Sequence, residues 1–303
     1  IKQKCEIYRC DGQEYSSKQN LYYDIESIVE SLRTGLNPNT GKLLKPDEVK
    51  KMEDSIKVDL YKIEHDIPTV EVLTNERTIY DTVSQQFSML MVSLLMIIIA
   101  GSAISSEISK GTIKFVLFTP NKRWKILFAK VTSAILILLC LTIVLSLLSA
   151  LIGNLCFEQA GNDYIYVKDG EVRILPYMNY VILYFLALCI DVLVYMFFAF
   201  MLSTVTRNTA LSVGLSVACY VGSGIVMNIV NSYIKADWVK YIPFNNFGIA
   251  DKIFTNTLSY TMMESVTSLL NNVSIWFSLG VLGVTTLLMI ITMFDSFNKR
   301  DIV

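Results

Sequence analysis

Five long apolar runs divide this chain, at about 83–104, 126–157, 179–203, 209–230 and 273–294. Each reaches or exceeds the ~20 residues that carry a helix across a bilayer. The polar stretches between them follow other periods. In Asn20–Thr34, Leu21, Ile25, Ile28, Val29 and Leu32 recur at helical spacing, with Asn20 placed to cap. A second helix is predicted from Pro46, a favoured first residue, followed by Asp47 and Glu48 where the helix dipole favours acids. Its apolar stripe is Val49, Met52, Ile56, Leu60, Ile63 and Ile67, and Pro68 ends it. The link between the two, Gly35–Gly41, is rich in turn formers. Further on, Tyr164–Val167, the Lys168-Asp-Gly170 turn and Glu171–Ile174 predict a small β-hairpin.

Charge orients these runs. Between Ala103 and Lys130 stand Lys110, Lys114, Lys122, Arg123, Lys125 and Lys130 against one acid, Glu107. A short basic connection between spans belongs on the cytoplasmic side. Residues 158–178 carry Glu158, Asp163, Asp169 and Glu171 against two bases, as an external loop does. Arg207, Lys299 and Arg300 fall on the basic side, which predicts a cytoplasmic C-terminus. Five spans then put residues 1–82 outside as a mostly helical segment, with residues 158–178 and 231–272 also outside.

The 303 residues are 53% hydrophobic with a net charge of −1, which excludes a soluble domain and gives no footprint for nucleic acid. His65 is the only histidine and no CxxC pair occurs, so no metal site is expected. No GxxxxGK[ST] phosphate loop occurs, so any ATP and magnesium would sit on another chain, and no cofactor is expected on this one. No nucleophile–base pair suggests an enzyme.

Asp191 is the sharpest single residue. It lies in the middle of the third run, where a charge costs several kcal/mol unless it finds a partner, a polar cavity or a proton. It reads either as an ion or substrate site on a translocation path or as a hydrogen-bonded structural acid. Gly214, Ala218 and Gly222 put small residues on one helix face, for a dimer or gating interface or for packing within the subunit. Cys5 and Cys10 lie on the predicted outside, as a local disulfide or as two reduced thiols.

Several phrases resemble the ABC-2 type transporter permeases of Gram-positive bacteria. They are Glu107-Ile-Ser-Lys-Gly111-Thr-Ile with Pro120 and Lys122-Arg123, Tyr61-Lys-Ile-Glu-His-Asp-Ile-Pro68, Tyr241-Ile-Pro-Phe244, and the tail Phe297-Asn-Lys-Arg-Asp-Ile-Val303. The likeness runs over roughly residues 60–303. It implies an all-α polytopic membrane protein with the transmembrane bundle of type V exporters, in a bacterial plasma membrane. The first cytoplasmic turn would be a coupling helix, so Glu107, Lys110, Gly111, Thr112 and Lys114 would meet a separate ATPase subunit. A second permease copy or a paralogue would complete the path. The cargo would be antimicrobial peptides, other amphipathic toxins, drugs or sodium. The family has six spans with both ends inside, so a first span and a cytoplasmic helix are expected before Ile1. Lys122 and Arg123 also suit anionic lipid heads. The alternative is a membrane sensor that detects an external ligand and signals through its cytoplasmic turn without transport.

Overall fold

A computed structural model describes residues 15–36, 43–44, 46–65, 67, 76–111, 123–156, 163–168, 170–234, 237–254 and 274–299. The helices are α1 (Tyr15–Thr34), α2 (Pro46–Glu64), α3 (Glu76–Ser102), α4 (Ser105–Ser109), α5 (Arg123–Cys156), α6 (Tyr177–Thr206), α7 (Thr209–Tyr233), α8 (Ile249–Ile253) and α9 (Ile275–Lys299). Strands β1 (Tyr164–Lys168) and β2 (Glu171–Leu175) lie between α5 and α6, and two 3-10 turns, Asp237–Tyr241 and Pro243–Asn246, precede α8. Five of the helices, α3, α5, α6, α7 and α9, are long and apolar enough to cross a membrane. The chain forms two compact units. One gathers residues 1–82, 150–181 and 256–260, and the other holds 83–149, 182–255 and 261–303.

The first unit holds α1, α2 and the hairpin. Leu21 and Ile25 of α1 are buried, as their spacing predicts, whereas Val29 is exposed. At 100° per residue Val29 sits about 80° round from Leu21, at the margin of the stripe. Helix α2 departs further. Its most buried residue is Val58, on the side opposite Val49, while Leu60 of the apolar stripe is 44% exposed. The buried face has turned toward Val58, Asp59 and Lys62, and a carboxylate goes in with it. Strands β1 and β2 pair antiparallel with Lys168 opposite Glu171. Gly170 takes φ +86°, as a two-residue hairpin turn demands. Asp163 Oδ1 accepts the Tyr177 N–H at 2.9 Å and so caps the start of α6.

In the second unit α6 is the central span, with over half of its apolar window buried (56%) against 12% for α7 and 17% for α9. Met96, Ile97 and Ala100 of α3, Leu127 and Leu138 of α5, Met196 and Phe200 of α6, and Met293 of α9 form one buried cluster. Lipid is as apolar as these side chains, so what holds the spans together is close packing and hydrogen bonding rather than escape from water. Gly101 shows the packing. A Cβ there would lie 2.9 Å from Val213 Cγ2 and 3.3 Å from Val213 Cα, so α3 and α7 approach at a point only glycine permits. A two-residue turn joins α6 to α7, and Asn208 Oδ1 caps α7 by accepting from the N–H groups of Ala210 and Leu211.

Candidate functional site

Two polar assemblies lie in the second unit. The first is the turn that ends α3. The helix stops at Ser102, Ala103 and Ile104 break the backbone ladder, and α4 restarts at Ser105. A break at a bilayer boundary frees carbonyl and N–H groups that must find other partners. Side chains from three other spans supply them. Lys130 of α5 donates from Nζ to the Ala103 carbonyl at 2.5 Å. Ser203 Oγ of α6 accepts from the N–H groups of Ser105 at 3.0 Å and Ile104 at 3.3 Å. Ser212 Oγ of α7 donates to the Gly101 carbonyl at 2.7 Å, which also accepts from Ser105 Oγ at 2.7 Å.

Glu107 is tied into the same knot. Its Oε1 lies 2.6 Å from Lys130 Nζ in a pair with side chains 29% and 23% exposed, so neither partner is fully hydrated. Charge-assisted bonds of this length are stronger than neutral ones. Glu107 therefore faces sideways along the span rather than into solution. Lys110 and Gly111 are exposed, and Gly111 ends the turn at φ +71° with open space around it. Thr112 and Lys114, with Cys5 and Cys10, lie outside the described residues. Of the basic residues Lys130 was legible as a charge only; that it satisfies a carbonyl was not. Ser105, Ser203, Ser212 and Gly101 were missed. For Gly101 and Ser105 the one signal is the Gly101-Ser-Ala-Ile-Ser-Ser stretch at the end of an apolar run; Ser203 and Ser212 carry none.

The second assembly surrounds Asp191, the fifteenth of the thirty residues of α6. Its Oδ2 accepts the N–H of Gly248 at 2.9 Å. This partner is a backbone group. At 1.5 Å per residue Asp191 stands about 21 Å from either end of its helix. The segment carrying Gly248 therefore reaches the middle of the span. Gly248 holds φ +77°, a conformation suited to glycine. Phe247 stacks on Tyr195 at 4.6 Å between ring centroids, and Tyr195 Oη hydrogen-bonds Ser223 Oγ of α7 at 2.9 Å. Lys252 Nζ donates to Ser278 Oγ of α9 at 2.8 Å and to the Asn246 carbonyl at 3.3 Å.

The small-residue stripe on α7 makes no close packing contact among the described residues. Gly214 and Ala218 are exposed and Gly222 is half-buried. Nothing among the described residues comes within 4 Å of a Cβ built at Gly214 or Gly222, so the stripe is not where this subunit packs on itself. No group of three or more His, Cys, Asp or Glu side chains fit to hold a metal occurs among the described residues.

In the first unit the electrostatics are local. Burial pushes the Asp59 carboxyl up to about 6, the Lys62 ammonium pulls it back, and Asp24 of α1 pushes it further up. Lys62 Nζ is 4.0 Å from Asp59 Oδ1. His65 stacks on Tyr61 at 3.9 Å between ring centroids and bonds through Nδ1 to the Tyr61 carbonyl at 3.0 Å, which makes it a helix-end residue.

A family model described as "Protein of unknown function (DUF2705)" matches residues 60–303. Two proteins of Bacillus subtilis (strain 168) are similar. "Uncharacterized protein YhcI" is 32% identical over 254 residues, covering 82% of this chain and 76% of its own length. "Uncharacterized membrane protein YdbK" is 24% identical over 213 residues, covering 70% and 78%. No solved structure matches the chain. These findings correct the resemblance to ABC-2 permeases. The matched family covers the stretch that carried the resemblance, yet it is not an ABC-2 family, and neither relative's name speaks of transport. The phrases that suggested it have a plainer origin. A basic turn, a proline beyond a span and a basic tail are what positive-inside orientation and helix termination place in many membrane chains.

Proposed function

The chain belongs to the DUF2705 family, and from its own residues we propose that it is the membrane-spanning permease subunit of an ATP-driven exporter, coupled through its first inner turn to an ATPase on a separate chain. The observation that carries this is the bonding of residues 101–107. Lys130, Ser203 and Ser212 reach that one turn from α5, α6 and α7. A push on the turn is thus delivered to four spans at once, α3 included. Lys110 and Gly111 stand exposed beyond the knot and are the residues a partner would touch. The basic charge of Ala103–Lys130 supports placing this face in the cytoplasm of a cell membrane.

The test is recovery of partners from the native membrane in mild detergent. An ATPase with a phosphate loop is expected at a stoichiometric level, lost in Lys110→Glu while the thermal midpoint is kept. A chain that purifies alone, or with a signalling protein, sinks the permease reading in favour of a sensor.

A further inference from the structure

We propose that residues 237–254 form a plug seated among α6, α7 and α9, and that Asp191 is the positioning residue that holds it there as a hydrogen-bond acceptor. Non-helical backbone at membrane depth persists only where its polar groups are satisfied by protein or line a water-filled cavity. This segment carries its own partners. Asn245 Nδ2 donates to the Val239 carbonyl at 2.8 Å. Asn246, fully buried, donates from Nδ2 to the carbonyls of Lys240 and Ile242, both at 2.9 Å. Lys252 closes on the Asn246 carbonyl. The segment is thereby internally braced.

It packs on the spans through Ile249, against Val194 and Leu282, and through Phe247 on Tyr195, and three hydrogen-bonded ties each go to a different helix. Asp191 of α6 accepts from Gly248 N–H. Asn231 of α7 exchanges side-chain amide bonds with Asn245 at 3.0 and 3.3 Å. Ser278 of α9 accepts from Lys252. No one of these spans can separate from the others without breaking a bond to the segment. The role assigned to Asp191 needs a lone pair aimed at Gly248, not a charge. This separates it from an ion or proton site, which needs the carboxylate itself.

Hydrogen exchange on the full-length protein in lipid nanodiscs, with no ATP, partner or cargo, tests this independently of transport. The permease reading can fail while the plug stands, and the reverse. In Asp191→Leu, of similar size, amides of 244–253 should exchange about ten- to hundredfold faster, as leaving the buried Gly248 N–H without its acceptor implies. Those of 101–107 should not change. Asp191→Asn keeps an acceptor oxygen and should retain most of the protection. Ser278→Ala should loosen 249–253 alone, and it keeps the test open if the leucine variant does not fold. Unchanged exchange in Asp191→Leu, or in Ser278→Ala where the leucine variant fails, overturns the plug. An asparagine variant as exposed as the leucine one overturns the acceptor role.

Discussion

The turn at 101–107 and the segment 237–254 face the same problem and answer it differently. In both, backbone leaves the helical ladder inside a unit built of apolar spans. At the turn the missing partners come from outside it, from Lys130, Ser203 and Ser212 on three other helices. At the segment most hydrogen-bond partners are its own amides and lysine, and Asp191, Asn231 and Ser278 add a tie from each of three spans. Backbone satisfied by its surroundings is locked to them by hydrogen bonds. Backbone satisfied by itself is held to its surroundings mainly by packing, here of Ile249 on Val194 and Leu282 and of Phe247 on Tyr195. The first arrangement suits a part that transmits force, and the second suits a part that keeps its own shape among the spans.

The sharpest way to break that contrast is at Gly101. Gly101→Ala puts a Cβ 2.9 Å from Val213 Cγ2 and 3.3 Å from its Cα. The overpacking should cost about 1–3 kcal/mol and lower the thermal midpoint. Gly214→Ala, one residue past Val213 but facing open space, should stay within about 0.5 kcal/mol of the parent. Equal effects from the two would remove the close approach of α3 and α7 from the argument.

Lys130→Ala strips the Ala103 carbonyl and Glu107 of their shared partner and should cost about 1–2 kcal/mol, moderated by partial exposure. Substituting Glu107→Gln in that background should add little, because the pair is already broken; a double-mutant cycle on denaturation midpoints measures this. Full additivity would mean that the two residues do not act together.

Asp59 sharpens the comparison from a third direction, since it is a buried polar group with no backbone to serve. Its carboxyl is raised from 3.8 to about 6 in the folded chain, with burial as the main cause. A raised pKa means that the folded form binds the proton more tightly. Stability from this group is thus absent well above pH 6 and grows as pH falls through 6 toward the unfolded value. Linkage gives about 1 kcal/mol of added stability on going from pH 7 to pH 5. Asp59→Asn should abolish that increment in melting curves compared across pH. A variant with the parental pH profile would place the proton elsewhere.

The smallest effect belongs to the amide pair. Asn231→Ala should cost about 0.6 kcal/mol, a typical value for a side-chain bond between membrane helices. In exchange measurements it should free the 244–246 amides before those of α8. A loss above about 2 kcal/mol would show that the segment is locked like the turn after all.

Much of the fold was legible along the chain because it rests on local properties. A run of about twenty apolar residues makes a spanning helix wherever it occurs. Pro46 opens a helix by its fixed φ, and Asp-Gly turns a hairpin through the positive φ of Gly170. The site was half legible. The cost of a mid-span carboxylate singled out Asp191, and charge density singled out the turn that holds Glu107 and Lys130. The family resemblance went astray because its phrases report orientation and helix ends more than kinship.

The long helices, the runs apolar enough for a bilayer and the places where positive charge gathers are legible along the chain, because each follows from neighbouring residues. Only the tertiary structure decided that α2 turns Asp59 inward, that Gly101 meets Val213, and that Asp191 holds a backbone N–H fifty-seven residues away. Those outcomes depend on which helix faces which and at what rotation. In lipid, that choice is made by close packing and by the need of each exposed backbone group for a partner, and neither is written in the spacing of any one helix.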